Sequence, residues 1–237
     1  MKGIRLLLAI GAVLAWPGMA LTAAPDAPAV SPECLDIPVV ISGGEPASRA
    51  LACEGAQQAI GFLREHGLET DSTVHIALRA NLPGPRDRYV GLYDTRIDLV
   101  YLLPFAESMI AGEHCGTFKV VMDEDLYRSF AAHEVAHAVA SKLPDQNTGR
   151  TLAQEYLAYA TQLSVMPGDV RNKVLAAFPV SAFSGPQEIS LVYYQMAPGA
   201  FGVKAYLHFR NQQDRPGFLR KLLSGQVPLD EDQPEWW

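Results

Sequence analysis

Long apolar runs and basic residues are both scarce in this sequence of 237 residues. The longest mostly apolar stretch, Leu6–Trp16, is shorter than the roughly 20 residues that a membrane-spanning helix needs. The 19 Lys and Arg residues are outnumbered by 26 Asp and Glu residues, so the formal net charge is −7. Because basic residues supply most of the affinity for nucleic acids, this balance disfavours a nucleic-acid partner.

The short apolar run lies where a targeting signal is expected. It follows Lys2 and Arg5 and precedes a stretch of small residues that ends at Ala24. Basic, apolar and small residues in that order are typical of a secretory signal peptide, with an uncleaved anchor as the alternative. We therefore expect a signal peptide over residues 1–24. The mature protein would be periplasmic or secreted, with no stable membrane span.

Cysteine is also rare, with only Cys34, Cys53 and Cys115 in the chain. Disulfides persist outside the cytoplasm, and three cysteines allow one bond and one free thiol. All three pairings are open from the sequence. We favour Cys34 with Cys53 because the loop they close is local, and we expect Cys115 to be a small buried residue rather than a metal ligand.

The rest of the composition is that of a folded protein, with 49% hydrophobic and 19% charged residues. The length favours a single domain over residues 25–237. Periodicity and turn residues predict a small sheet in the first half and a mainly helical C-terminal part from about residue 168. The predicted strands are Val74–Leu78, a hairpin or one longer edge strand within Tyr89–Leu102, and Phe118–Met122. The predicted helices are 54–66, 123–143, 149–166, 169–178, 187–196, 201–211 and 218–223.

One predicted helix carries a specific motif, His133-Glu134-Val135-Ala136-His137. Residues four apart lie one turn above each other on a helix, so the two imidazoles can reach a single metal ion. Glu134 is placed to act on a water molecule at that ion rather than to bind the ion itself. We interpret the motif as a metal site with Glu134 as the catalytic residue, the alternative being a helix whose histidines only border the core.

A catalytic zinc site needs a third protein ligand. The extended motif with Gly and a third His is excluded, because Ala140 and Leu143 stand at those positions. A carboxylate from a following helix is the remaining common ligand. Glu155 is the first well-placed candidate, and Glu188 is a weaker one.

With Glu155 on the next helix, the motif resembles that of the gluzincin metallopeptidases. This resemblance implies an α+β, zincin-like fold, in which a small mixed sheet packs on the active-site helix. It also implies Zn²⁺ held by His133, His137 and Glu155, with Glu134 as general base and acid, and an edge strand within Tyr89–Leu102 that aligns an extended substrate. One departure is Tyr159, which stands where the family often has an Asp that orients a histidine.

The expected function is hydrolysis of an amide bond in a peptide or protein substrate. The alternatives are an amidase acting on cell-wall material and a catalytically silent zincin-like domain that binds a partner peptide through its edge strand. Tyr193, Tyr194 and His208 are candidates for stabilising the oxyanion, although each also fits an ordinary position in a helix. His66, His75 and His114 have no ligand spacing and receive no role.

Overall fold

The computed structural model describes residues 34, 36–83, 89–115, 118–144 and 151–230, without the side chains of residues 113–115. The predicted signal peptide therefore lies outside the described residues, as do the side chains of Cys115 and His114. Within the described part, no helix is both long enough and apolar enough to cross a membrane.

A four-stranded sheet forms one layer of the structure. Its strands are β1 (Val39–Gly43), β2 (Val74–Leu78), β3 (Gly91–Asp94) and β4 (Leu99–Leu102), in the spatial order β1-β2-β4-β3. β1, β2 and β4 are parallel, and β3 runs antiparallel to β4 at the edge. The sheet is therefore mixed, as predicted, and both β2 and the hairpin of β3 and β4 are confirmed. β1 was not predicted.

Helices make up most of the remaining described structure. α1 to α4 are Pro46–Glu65, Phe105–Cys115, Glu124–Ala140 and Thr151–Val165, and α5 to α8 are Gly168–Ala177, Leu191–Met196, Pro198–Arg210 and Arg215–Leu223, with a 3₁₀ turn at Pro186–Glu188. The mainly helical C-terminal part is confirmed. The fold is thus α+β with more helix than strand.

The predicted strand over Phe118–Met122 is wrong. Lys119 has a φ of +56°, which interrupts any extended conformation. Phe118 and Met122 are instead buried in the connection between α2 and α3. Their apolar character reflects packing of a loop rather than a place in the sheet.

α3 is the central helix of the fold and contacts α1, α4 and the sheet. It begins where the helix was predicted to begin, because the Asp123 carboxylate accepts a hydrogen bond from the backbone N–H of Leu126 at 2.8 Å. Gly55 of α1 lets α1 and α3 approach closely, since a Cβ there would lie 2.3 Å from the carbonyl oxygen of Arg128. All ten residues from Ala131 to Ala140 are buried. The histidine motif is consequently held inside the protein on a helix with little freedom to move.

A disulfide joins Cys34 to Cys53, with a Cα–Cα distance of 5.6 Å. It fastens the segment before β1 to α1. The pairing favoured from the sequence is confirmed, and its presence is compatible with an exported protein.

Candidate metal centre

α3 brings the two histidines of the motif together. His133 and His137 each expose only 8% of their surface, and their Nε2 atoms are 3.2 Å apart. Their rings meet edge to face, with centroids separated by 4.9 Å. The helical spacing therefore places both Nε2 atoms at one point, as the sequence predicted.

α4 supplies the carboxylate that the motif lacks. Glu155 Oε2 lies 3.6 Å from His133 Nε2, and Glu155 Oε1 lies 3.6 Å from His137 Nε2. The other candidate, Glu188, pairs with Lys204 near the surface and accepts a hydrogen bond from the backbone N–H of Ser184. Glu155 is thus the residue that the fold brings to the histidines, and Glu188 is not.

The three side chains could hold a metal ion. Tetrahedral zinc with bonds of roughly 2.0–2.1 Å separates its ligand atoms by about 3.3 Å, and the separations here are 3.2, 3.6 and 3.6 Å. Glu155 Oε2 is buried and has no hydrogen-bond partner among the described residues. Two imidazole nitrogens and a carboxylate oxygen also form a donor set suited to zinc. The residues present therefore fit the ion.

Burial dominates the electrostatics of the cluster. Loss of solvent lowers the pKa of His137 to about 4, so its imidazole is neutral at physiological pH. Burial alone would raise the pKa of Glu155, but the facing histidines hold it below its ordinary value. A neutral imidazole and an ionised carboxylate are the forms that bind a cation.

Glu134 lies beside the edge strand β3. A Cβ on Gly91 would be 2.6 Å from Glu134 Cγ and 3.0 Å from its Oε1, so only glycine leaves room for this carboxyl group. The backbone N–H of Tyr93 donates to the same carboxyl group, while burial raises the pKa of Glu134 to about 7. A carboxyl group with that pKa can both take and return a proton near neutral pH.

Among the described residues, no strand pairs with the outer edge of β3 at Gly91. The carbonyl oxygen of Val90 accepts from the N–H of Leu103 at 2.9 Å, and Gly91 is opposite Leu102. Hydrogen-bonded and non-hydrogen-bonded pairs alternate in an antiparallel ladder, so the backbone groups of Gly91 and Tyr93 point away from β4. The edge strand predicted to align a substrate therefore lies next to Glu134.

Two glutamines on α4 contact the histidines, and the sequence did not indicate either of them. Gln162 Oε1 is 3.0 Å from His133 Nδ1, and the side chain of Gln154 hydrogen-bonds His137. Tyr159, at the position where an Asp was looked for, packs its ring on His133 with centroids 4.6 Å apart. The only signal in the sequence was the spacing of Gln162, seven residues after Glu155, which places the two residues on the same face of α4 without identifying the histidine as the partner.

Of the three oxyanion candidates, only Tyr194 reaches the cluster. Its hydroxyl hydrogen-bonds the Glu155 carboxylate, and burial raises its pKa far above the ordinary value. His208 Nδ1 and the Tyr156 hydroxyl are hydrogen-bonded at 2.7 Å within an aromatic cluster. Tyr193 packs against Phe183. The last two belong to the packing of the C-terminal helices.

His66 and His75, two of the histidines that received no role, lie away from the cluster. His66 stacks on Phe62 at the end of α1, and His75 lies in β2. Neither is among the residues grouped around a metal position.

Comparison with known proteins places most of the chain in one family. The profile of a family of unknown function (DUF6639) matches residues 39–232, a range that contains the sheet, α1 to α8 and the three metal-binding candidates. No curated protein and no solved structure matches the chain.

Proposed function

The chain belongs to this family of unknown function, and we propose that it is a gluzincin-type, zinc-dependent hydrolase that cleaves peptide bonds on a zincin-like fold. The observation that carries the proposal is the cluster of His133, His137 and Glu155 atoms at tetrahedral spacing, with Glu134 next to the first ligand. Zn²⁺ held there would lower the pKa of a water molecule toward about 7 and polarise a carbonyl group.

Glu134 is the general base in this proposal. Glu134 is 7% exposed, and the backbone N–H of Tyr93 faces its carboxyl group. It takes a proton from the attacking water and then delivers the proton to the leaving amine. The closeness of its pKa, about 7, to neutrality favours both transfers.

The substrate lies along β3 in an extended conformation. The backbone groups of Gly91 point to the open edge and can pair with a peptide strand, as in other cases where a peptide adds to a sheet. Because Gly91 is also the residue beside Glu134, pairing at this position presents a peptide carbonyl to the base. The geometry therefore favours a peptide or protein over a small amide.

Tyr194 supplies a hydrogen bond to the substrate carbonyl oxygen. Burial keeps its hydroxyl protonated throughout the physiological range, so the group donates rather than accepts when negative charge develops nearby. The hydroxyl already lies at the Glu155 carboxylate, which puts it next to the ligands.

We also propose that the protein works in the periplasm or outside the cell. The disulfide between Cys34 and Cys53 supports this location, since such bonds persist in oxidising compartments. The basic and apolar order of residues 1–24 supports it independently.

Metal analysis and digestion assays test the proposal together. The purified chain should retain one zinc ion after dialysis, and Glu155→Ala should lose it. Casein or a peptide library should be cleaved by the native protein and at least about 100-fold more slowly by Glu134→Gln, which keeps its shape but loses the base. Glu188→Gln, an acid outside the cluster, is the matched control and should behave as the native protein.

Each contrary outcome points to a different error. Absence of zinc from the native protein, or equal cleavage by Glu134→Gln, contradicts the enzyme proposal. Retained zinc with no cleavage of any peptide favours the silent, peptide-binding domain. Hydrolysis of isolated cell-wall material without cleavage of casein or peptides identifies the amidase alternative.

A further inference from the structure

A buried chain of hydrogen bonds leads from the backbone of α3 to the first metal-binding candidate. The Ser129 hydroxyl donates to the carbonyl oxygen of Leu126 at 2.7 Å, and Gln162 Nε2 donates to Ser129 Oγ at 3.3 Å. The other end of the amide, Gln162 Oε1, lies 3.0 Å from His133 Nδ1. Ser129 and Gln162 are 1% and 0% exposed, so water does not compete for these bonds.

The donor and acceptor of each hydrogen bond in this series follow from its first member, the carbonyl oxygen of Leu126. The carbonyl oxygen of Leu126 can only accept, so the single proton of the Ser129 hydroxyl is used there. Ser129 Oγ can then only accept from Gln162, which turns the NH₂ group toward Ser129 and the oxygen toward His133. His133 must therefore carry its proton on Nδ1, which leaves the Nε2 lone pair free.

We propose that Gln162, oriented by Ser129, is a positioning residue that holds His133 in the tautomer required for metal binding. The inference rests on the metal-site part of the proposed function. Gln162 acts through His133 and touches neither substrate nor ion. Its neutral amide orients His133, the role that the gluzincin resemblance assigns to an Asp at position 159, where this chain has Tyr159.

Glu155 and Gln162 lie on the same helix, α4, so their positions relative to His133 are set together. Glu155, Tyr159 and Gln162 are spaced by four and three residues and so share one face of the helix. Glu155 meets the Nε2 side of His133, Tyr159 packs on the ring, and Gln162 meets the Nδ1 side. One rigid helix thus sets both the position and the protonation of the imidazole.

Substitutions on this chain separate orientation from packing. Gln162→Leu removes the acceptor and should weaken zinc binding by about 10- to 100-fold, the effect typical of losing such a partner. Gln162→Glu restores an acceptor and should recover most of the affinity. Ser129→Ala leaves the amide free to rotate and should weaken binding less, with no further loss when combined with Gln162→Leu.

Thr161→Val is the matched control. Thr161 is the neighbour of Gln162, is fully buried, and its hydroxyl has no hydrogen-bond partner among the described residues. The substitution removes a buried oxygen from the same turn of α4 without touching His133. It should leave zinc affinity within about two-fold of the native value.

Zinc affinity is measured by competition with a zinc-binding dye, with circular dichroism and thermal melting to verify folding. Imidazole nitrogen correlations in ¹⁵N NMR of the metal-free protein at alkaline pH report the tautomer, with the His133 signals identified by their loss in His133→Asn. We expect the Nδ1–H form in the native protein and in Thr161→Val, and a shift toward Nε2–H in Gln162→Leu.

Two results overturn the inference. One is native zinc affinity in folded Gln162→Leu, and the other is a proton on Nε2 of neutral His133 in the native protein. A native chain that binds no zinc contradicts the proposed function instead, and the NMR measurement then still decides whether Gln162 sets the tautomer.

Discussion

Replacing Gly91 by alanine is the sharpest perturbation of the proposed base, because it adds one carbon beside Glu134 and changes no ligand. The new Cβ would lie 2.6 Å from Glu134 Cγ and 2.7 Å from Leu102 Cδ2. Non-bonded carbon atoms are normally separated by about 3.5–4.0 Å, so Glu134 must move by about 1 Å. A displacement of about 1 Å can cost about 100-fold in rate, which corresponds to about 2.7 kcal/mol of transition-state stabilisation.

The assay is the initial rate of cleavage of a quenched fluorescent peptide library, compared with zinc content. We expect Gly91→Ala to lose about 100-fold in rate while retaining its zinc. Gly61→Ala is the control, since no atom lies within 4 Å of a Cβ at that position of α1. That variant should cleave normally and gain up to about 1 kcal/mol of stability. Native rates in Gly91→Ala, together with an inactive Glu134→Gln, would refute the placement of the base against β3.

Three further predictions test other parts of the structure. Tyr194→Phe should still bind zinc, but its turnover number should fall by about 10- to 1,000-fold because one oxyanion donor is lost. An unchanged turnover number would show that Tyr194 takes no part in the reaction. Reduction of the Cys34–Cys53 disulfide, whose cysteines are 19 residues apart, should lower the free energy of unfolding in urea by about 3 kcal/mol, and an unchanged midpoint would contradict this. Tyr93→Phe removes one hydrogen bond within the hairpin, to Asp98, and one to Ser141 at the end of α3. It should cost about 1–3 kcal/mol in the same assay, and a loss below about 0.5 kcal/mol would indicate that the bonds are not needed.

The local features of the site were predictable from the sequence because they depend on neighbouring residues. The position of α3 follows from Asp123 as its N-cap, and the convergence of His133 and His137 follows from helical spacing. The hairpin that forms the edge strand was one of the two structures predicted for the short segment Tyr89–Leu102. These elements need no information about distant parts of the chain.

The features that were missed depend on contacts between distant elements. β1 is recognisable only through its pairing with β2, and the short run Val39–Ile41 carries no alternation of its own. The prediction started α1 at residue 54, whereas Pro46 begins the helix eight residues earlier at its first turn. Gln162 looked like any polar residue on a helix until the packing of α4 on α3 placed it against His133. Helix periodicity could identify its face but not its partner.

The buried cluster gives a physical reason why a cation could bind there. Two imidazole nitrogens 3.2 Å apart repel each other as lone pairs unless a proton or a metal ion lies between them. A proton would place a positive charge on a buried ring, and burial opposes this at His137 strongly enough to lower its pKa to about 4. The ionised Glu155 favours a positive charge at the same place, while its Oε2 atom lacks a hydrogen-bond partner among the described residues. A divalent cation satisfies all three groups together, since it binds both neutral nitrogens and neutralises the carboxylate. Against the effect of burial, the neighbouring carboxylates raise the pKa of the other ring, His133, so a proton can occupy part of the cluster, but burial still opposes a charge on His137. Such a local conflict is of the kind that marks a functional site.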